Sequence, residues 1–283
     1  STLELPLLLG LALIIAGLGF KASAVPFHMW TPDAYEGAPI PITAYLSATS
    51  KAATFALLLR WFAGPLLPAI DSWQWMISVL AVLTMVIGNL VALQQSNIKR
   101  LLAYSSIGQV GFMLMAIVTI SDQTGSALLL HLSGYIITNL AVFMGVIAFY
   151  NRTGREEIVA FRGLAQTNPY LALVITAGLF SLAGMPLLAG FLTKFILFQS
   201  VVSGGYTWLV VTALLASTVS LYYYLQVIRQ MYMYQPEGDA SRWRLSPTGY
   251  LATGAMLVGV VWVGVYAAPF YTAADRAIAP LFT

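Results

Sequence analysis

Along nearly its whole length the chain is a succession of apolar runs, each about as long as the stretch that crosses a bilayer. A helix needs about 20 apolar residues to span the hydrocarbon core. Eight candidates meet this length. The first runs from about Leu3 to Phe20 and continues, after a break near Pro26, as a short piece through Trp30. Then come Ile42 to Phe62, Trp73 to Leu93, Ile98 to about Ile120, and Gly125 to Tyr150. The sixth runs from Pro169 to about Val202, too long for one straight span, and is interrupted at Ala183-Gly184-Met185-Pro186. The last two are Tyr206 to about Tyr234 and Pro247 to Ala268. Charged residues make up 8% of the chain, against roughly 25% in soluble domains, so it cannot cover a globule with polar surface. The runs are continuous rather than alternating, which argues against a β-barrel. The expected fold class is all-α: a polytopic transmembrane helical bundle of about eight spans, two of them discontinuous.

Several function classes drop out. There is no cysteine, so disulfides, thiolate metal sites and iron–sulfur ligation are excluded. The net charge of +3 is small and dispersed, which gives nucleic acid nothing to hold. No metal-ligand spacing, nucleotide loop, dinucleotide fingerprint or Ser/His/Asp arrangement is present, so no cofactor and no redox or hydrolytic chemistry is expected in this chain. Ser1 opens directly on an apolar run with no basic region before it, unlike a signal peptide. The chain reads as the C-terminal part of a longer protein.

The basic residues set the expected orientation. One set of loops holds Lys99, Arg100, Arg152, Arg155, Arg162, Arg242 and Arg244, with Arg229 close by; the other side holds only Arg60 and Arg276. The Arg-rich loops are therefore expected in the cytoplasm and both chain ends outside. Trp30, Trp61, Trp73, Trp75, Trp208 and Trp243 lie near span ends, as an interfacial aromatic belt requires.

Three lysines remain inside spans: Lys21, Lys51 and Lys194. None has a carboxylate within a helical turn, and Glu4 sits at the outer edge of the first run. A lysine at the bilayer centre costs about 2.5–3.5 kcal/mol or more. These three should therefore face the bundle interior or water. Desolvation works against an ammonium ion, so a lysine so placed can take up and release a proton, and the three together read as a proton relay or ion pathway. The alternative is snorkelling to the interface, which remains open for Lys21 and, less so, for Lys194. The breaks at Ser23-Ala24-Val25-Pro26 and at Gly184-Met185-Pro186 each lie within a few turns of a lysine. Paired interruptions in two halves are a pointer to a transport site, and their freed carbonyls can line a path; plain proline kinks are the alternative. His131, Tyr135 and Thr138 share a helical face, with Ser133 and Asn139 nearby. That stripe either carries a water chain between lysines or glues helices together. His28 is either a relay member or a cap on the piece after the break. Asp33 and Glu36 are expected to order their loop, Tyr222, Tyr223 and Tyr224 to pack, and Lys99 and Arg100 to serve topology at a helix start.

The segments VPFHMWTPDAYEGAP, SATSKA, GNLVALQQSNIKRLLAYSSIGQVGF, SLAGMPLLAGFLTKF and SLYYYLQVIRQMY occur in this order. They resemble the antiporter-like membrane subunits, of the subunit N type, of proton-pumping NADH:quinone oxidoreductases (respiratory complex I and photosynthetic NDH-1). Cation/proton antiporter and membrane-bound hydrogenase subunits share the proline-broken first motif. The resemblance implies fourteen spans in two inverted five-span repeats, of which this chain is similar to the last eight. It implies a single membrane domain in which 1–62 ends the first repeat, 73–234 forms the second, and 247–268 is an extra span. It places Lys21 on the lysine of the first broken helix, as charge-switched donor. It places Lys51 on the central relay lysine and Lys194 on the exit lysine of the second broken helix. His131 falls among polar residues that link two half-channels. A glutamate on an earlier helix, paired in the family with the first lysine, has no counterpart in this sequence. The implied function is proton translocation in a quinone-reducing complex of an energy-transducing membrane. The implied partners are the other membrane subunits of the complex, further antiporter-like subunits among them, and NADH and quinone are met only by partner subunits. A free-standing or Mrp-type cation/proton antiporter is the other reading, and a structural subunit with dead channels a third.

Overall fold

A computed structural model describes residues 5–237 and 240–282, and Glu4 lies outside the described residues. Among these residues there is no strand, only one isolated antiparallel bridge between Asn97 and Glu157. Everything else regular is helical: α1 (Leu5–Ala22), α2 (Trp30–Gly37), α3 (Ile40–Tyr45), a π-helical turn (Leu46–Ser50) and α4 (Lys51–Phe62). Then follow α5 (Ile70–Ala92), α6 (Ile98–Val118), α7 (Asp122–Thr153), α8 (Leu164–Thr167), α9 (Pro169–Ala183) and α10 (Ala189–Ser203). The chain closes with α11 (Thr207–Met233), α12 (Pro247–Val265) and α13 (Ala268–Ile278). Seven helical stretches are long and apolar enough to span a membrane, with α3, the π turn and α4 counting as one stretch, Ile40–Phe62. The shorter α9 and α10 are the two pieces of the interrupted sixth run.

The centre of the bundle is α6. Nearly all of it is buried, and its sequence is rich in small residues (Ala103, Ser105, Ser106, Gly108, Gly111). It lies directly against α5, where Gly88 meets the Gly108 backbone. A Cβ at Gly88 would sit 2.8 Å from the Gly108 nitrogen. Membrane helices gain nothing from apolar burial against each other, so such close backbone approach supplies the packing. Around this pair runs α7, which packs on α9, α10, α12 and α13. It starts from a reciprocal cap in which the Ser121 side chain accepts from Thr124 N–H and the Thr124 hydroxyl accepts from Ser121 N–H. At about 1.5 Å per residue, its 32 residues outrun the hydrocarbon core, so its ends stand in the interfaces.

Both expected breaks are present. Ser23 is left-handed (φ 71°) and residues 23–29 are not helical, so α2 starts at Trp30 rather than ending there. At the other break, α9 ends on Gly184 (φ 92°), Leu187 is also left-handed (φ 70°), and α10 starts at Ala189. Three expectations need correction. Trp73 is fully buried, edge-on to Phe62 with its Nε1–H donating to the Leu66 carbonyl, so it belongs to the core and not to a belt. The last apolar run stops at Val265, and the chain then forms the short amphipathic α13. The Asp275 carboxylate of this helix accepts from Ser126 of α7 at 3.1 Å. Lys99 is not a loop charge, as its partners show.

One end of the bundle gathers four connections. Asn97 caps α6 by accepting from Lys99 N–H and Arg100 N–H. Lys99, buried, donates to the carbonyls of Glu36 (2.5 Å) and Ala38 (3.1 Å) and pairs with Glu156 at 2.8 Å. Arg100 pairs with Asp33 and Glu36, both at 2.7 Å, so these two acids do order their segment. Arg162 pairs with Glu237 at 2.6 Å, and Trp243 N–H donates to the Thr167 carbonyl. The loops grouped by charge in the sequence are thus grouped in space.

Candidate functional site

An α-helical carbonyl accepts from the N–H four residues on. Four residues after Ala22 stands Pro26, and four after Leu182 stands Pro186. Proline has no N–H, so each break leaves a buried carbonyl without its helical partner. In both cases a buried lysine from elsewhere supplies the donor. Lys51 Nζ donates to Ala22 O at 3.1 Å, and Lys194 Nζ donates to Leu182 O at 2.7 Å. Lys51 is 1% exposed and Lys194 5%. Neither forms an ion pair among the described residues. The negative end of a helix dipole takes the place of the carboxylate.

The surroundings of Lys194 are the richer. Its ammonium also donates to Ser217 Oγ (3.4 Å) and stands 5.0 Å from the Phe112 ring centroid, within cation–π range. Ser217 in turn donates to the Ala183 carbonyl, and the Gln109 amide donates to Leu182 O at 3.3 Å. Gly184, with its positive φ, brings the break against the lysine stem: a Cβ there would lie 3.6 Å from Lys194 Cδ. A cavity of about 10 Å³ is lined by Gln109, His131, Tyr135, Ser181 and Lys194 among others. That is room for about one water.

His131 faces this cavity. The Thr193 hydroxyl donates to the Ala189 carbonyl, so at His131 Nδ1, 3.1 Å away, it must accept. The network therefore assigns the Nδ1–H tautomer and leaves Nε2 an acceptor, buried and without a protein partner. The rest of the α7 stripe is likewise turned inward. Tyr135 OH donates to Ser106 at 3.1 Å, Thr138 and Ser181 hydroxyls meet at 2.9 Å, and the Asn139 amide donates to Ser47. Ser47 is one turn before Lys51, and Thr193 is next to Lys194. One helical face thus runs between the two lysine sites, over eight residues or about 12 Å.

The other expected site residues fall out differently. Lys21 lies on an exposed face of α1, beside the exposed Phe20, and is not in the interior. The lysine that meets the first break is Lys51, although Lys21 is nearer in sequence. Pro26 and Pro186 mark the breaks as expected. His28 is buried within the first break with Nδ1 unpartnered, and α2 has no side-chain cap, so the capping reading fails. Tyr222 is exposed, while Tyr223 and Tyr224 are not mere packing: Tyr223 OH donates to Asn89 Oδ1 at 3.0 Å and Tyr224 meets Ser105 at 2.5 Å. The sequence reading missed Ser47, Ser106, Gln109, Ser181 and Thr193. The available signal was that Ser105, Ser106 and Gln109 share one side of an otherwise apolar span, and polar groups within a span turn to the interior.

Broken helices with buried cations at their ends, inside a polytopic bundle, define an integral membrane protein built on discontinuous spans, an architecture that many transporters use. The chain belongs to the NADH:quinone oxidoreductase/Mrp antiporter transmembrane family, which it matches over residues 2–220. It is 46% identical over 263 residues to NADH-quinone oxidoreductase subunit N of Moorella thermoacetica, covering 93% of this chain and 55% of that one. It is 41% identical over 281 residues to NAD(P)H-quinone oxidoreductase subunit 2 of a Synechococcus species, covering 96% and 54%. The fold matches a chain of respiratory complex I from Thermus thermophilus with TM-score 0.82 and 35% identity, over 97% of this chain and 61% of that one. A chain of the Mrp complex from a Dietzia species shares the fold (TM-score 0.89, 21% identity, 97% and 59% covered). The chain spans about half the length of the curated relatives it matches.

Proposed function

We propose that this chain is a proton-translocating part of a membrane subunit of the subunit N type, working in a quinone-reducing complex. The observation that carries the reading is the pair of buried, carboxylate-free lysines, each held by the carbonyl that a proline orphans. An ammonium held by dipoles alone has its charge state decided by whatever charge or water approaches it. At Lys194, a water in the adjoining cavity would accept from Nζ and donate to His131 Nε2, giving the proton a way off. Along α7, Tyr135, Thr138 and Asn139 line the way from there to the Lys51 site, each bonded to a different neighbouring segment, so that water between them would complete the path. Each of these groups can donate and accept, which a relay requires. Lys21, on the exposed face of α1, would join only through a group brought by a neighbouring segment or subunit.

In this reading the 1–62 segment ends one inverted repeat, 73–234 forms the other, and 247–268 stands outside both. NADH and quinone belong to partner subunits, and no cofactor is held here. The Arg-rich end faces the cytoplasm and the C-terminus the other side.

Two measurements test this. In the reconstituted complex, Lys194→Met is expected to stop substrate-driven proton movement while the complex still assembles; full pumping in that variant, or transport that requires sodium, overturns the reading. Because the chain has no cysteine, a single Arg242→Cys substitution reports sidedness. A membrane-impermeant maleimide should label it in inverted vesicles and not in right-side-out ones, and the reverse pattern overturns the orientation.

A further inference from the structure

The cations at the basic end of the bundle are not equally satisfied. Lys99 has Glu156, Arg100 has Asp33 and Glu36, Arg155 has Glu157 and Glu237, and Arg162 has Glu237. Arg152 and Arg244 have no ion pair among the described residues, yet both line one groove of about 350 Å³ between α7 and α12. Arg152 is in the last turn of α7, and Arg244 is three residues before α12 begins. Both guanidinium groups therefore stand at span ends, the depth of lipid headgroups. Trp243 lines the same rim, and its N–H bond to Thr167 O fixes the segment that carries Arg244. Towards the middle of the membrane the groove becomes apolar, floored by the half-buried Ile147, Ala148 and Ala252. A soluble anion would use the arginines and leave this floor bare. A neutral lipid would use the floor and leave two charges unmatched.

We propose that this groove is a binding site for an anionic phospholipid. Its phosphodiester is clamped between Arg152 and Arg244, and an acyl chain lies along Ile147, Ala148 and Ala252. Basic pockets between spans on the positively charged side suit such headgroups, and guanidinium pairs bind phosphate oxygens with directional hydrogen bonds. The inference does not depend on the relay, since it uses none of the relay's residues.

The test is native mass spectrometry of the full chain released from nanodiscs containing equal phosphatidylglycerol and phosphatidylcholine. The wild-type protein should retain phosphatidylglycerol in preference. The double variant R152Q/R244Q should lose that preference, with retention falling roughly tenfold or more. R60Q/R276Q, which removes two arginines from the opposite end, should not. Ala252→Leu keeps both arginines and fills the floor; it should also release the lipid while the helical circular dichroism stays unchanged. Unaltered retention in R152Q/R244Q overturns the site. Displacement of the lipid by millimolar inorganic phosphate, or retention unchanged in Ala252→Leu, also overturns it, because the occupant would then be recognised by its phosphate alone.

Discussion

Lys51→Met is expected to reduce proton translocation to the passive leak while leaving the protein folded and assembled. Two energetic terms nearly cancel. Replacing a lone buried lysine by an apolar side chain of similar volume relieves the cost of holding its charge at membrane depth, about 2.5–3.5 kcal/mol on insertion scales. Against this, the Ala22 carbonyl loses the one side-chain donor it has among the described residues, and a buried unsatisfied carbonyl costs about 1–3 kcal/mol. A stability midpoint near that of the parent, together with lost pumping, separates a relay group from a structural one. Lys51→Arg sharpens the test. It keeps the charge and the donors, but a guanidinium does not release its proton in a protein, so translocation should fail here too. Proton movement is read from a pH-sensitive dye in proteoliposomes of the reconstituted complex. Normal pumping in Lys51→Arg would show that only the charge at this place matters, and pumping in Lys51→Met would remove Lys51 from the path.

How far the sequence could be read depends on the range of the interaction. The spans and both breaks follow from local rules: apolar length, and proline or glycine where a helix must stop. The orphaned carbonyls at Ala22 and Leu182 are equally local, since each is four residues before a proline. Which lysine answers each carbonyl is not local. Lys194 is 12 residues from Leu182, but Lys51 is 29 residues from Ala22, and Lys21 is adjacent to it. Because α1 is apolar on every side, its sequence gives no phase to say that Lys21 points away from the bundle. Trp73 was misplaced for a related reason: proximity to a span end does not say which way a side chain turns. The inward polar groups of α6 were legible in principle, because polar groups that share one side of an otherwise apolar span turn to the interior. The partners of Lys99 were not, since they come from segments about 60 residues away on either side.

That last residue carries the largest expected effect on stability. Lys99 and Arg100 are neighbours, both cationic, and both reach carboxylates at the same end of the bundle, yet their substitutions should differ sharply. The Lys99 side chain is 5% exposed and Glu156 20%, and the ammonium also satisfies the Glu36 and Ala38 carbonyls. One group thus ties the end of α2 and the segment leading into α3 to the residues that follow α7. Breaking a buried pair by removing one partner costs about 3–5 kcal/mol, and the partial hydration of Glu156 places Lys99→Met near the lower end, about 3 kcal/mol. Arg100 reaches Asp33, whose side chain is 77% exposed, and Glu36 at 39%. Exposed pairs of this kind contribute about 0.2–1 kcal/mol each, so Arg100→Met should cost little and less still in high salt. Thermal or denaturant midpoints of the two variants in the same detergent decide the matter. An equal loss in both, or a larger one for Arg100→Met, would mean that the Lys99 bonds are not what holds the α2–α3 segment to the bundle.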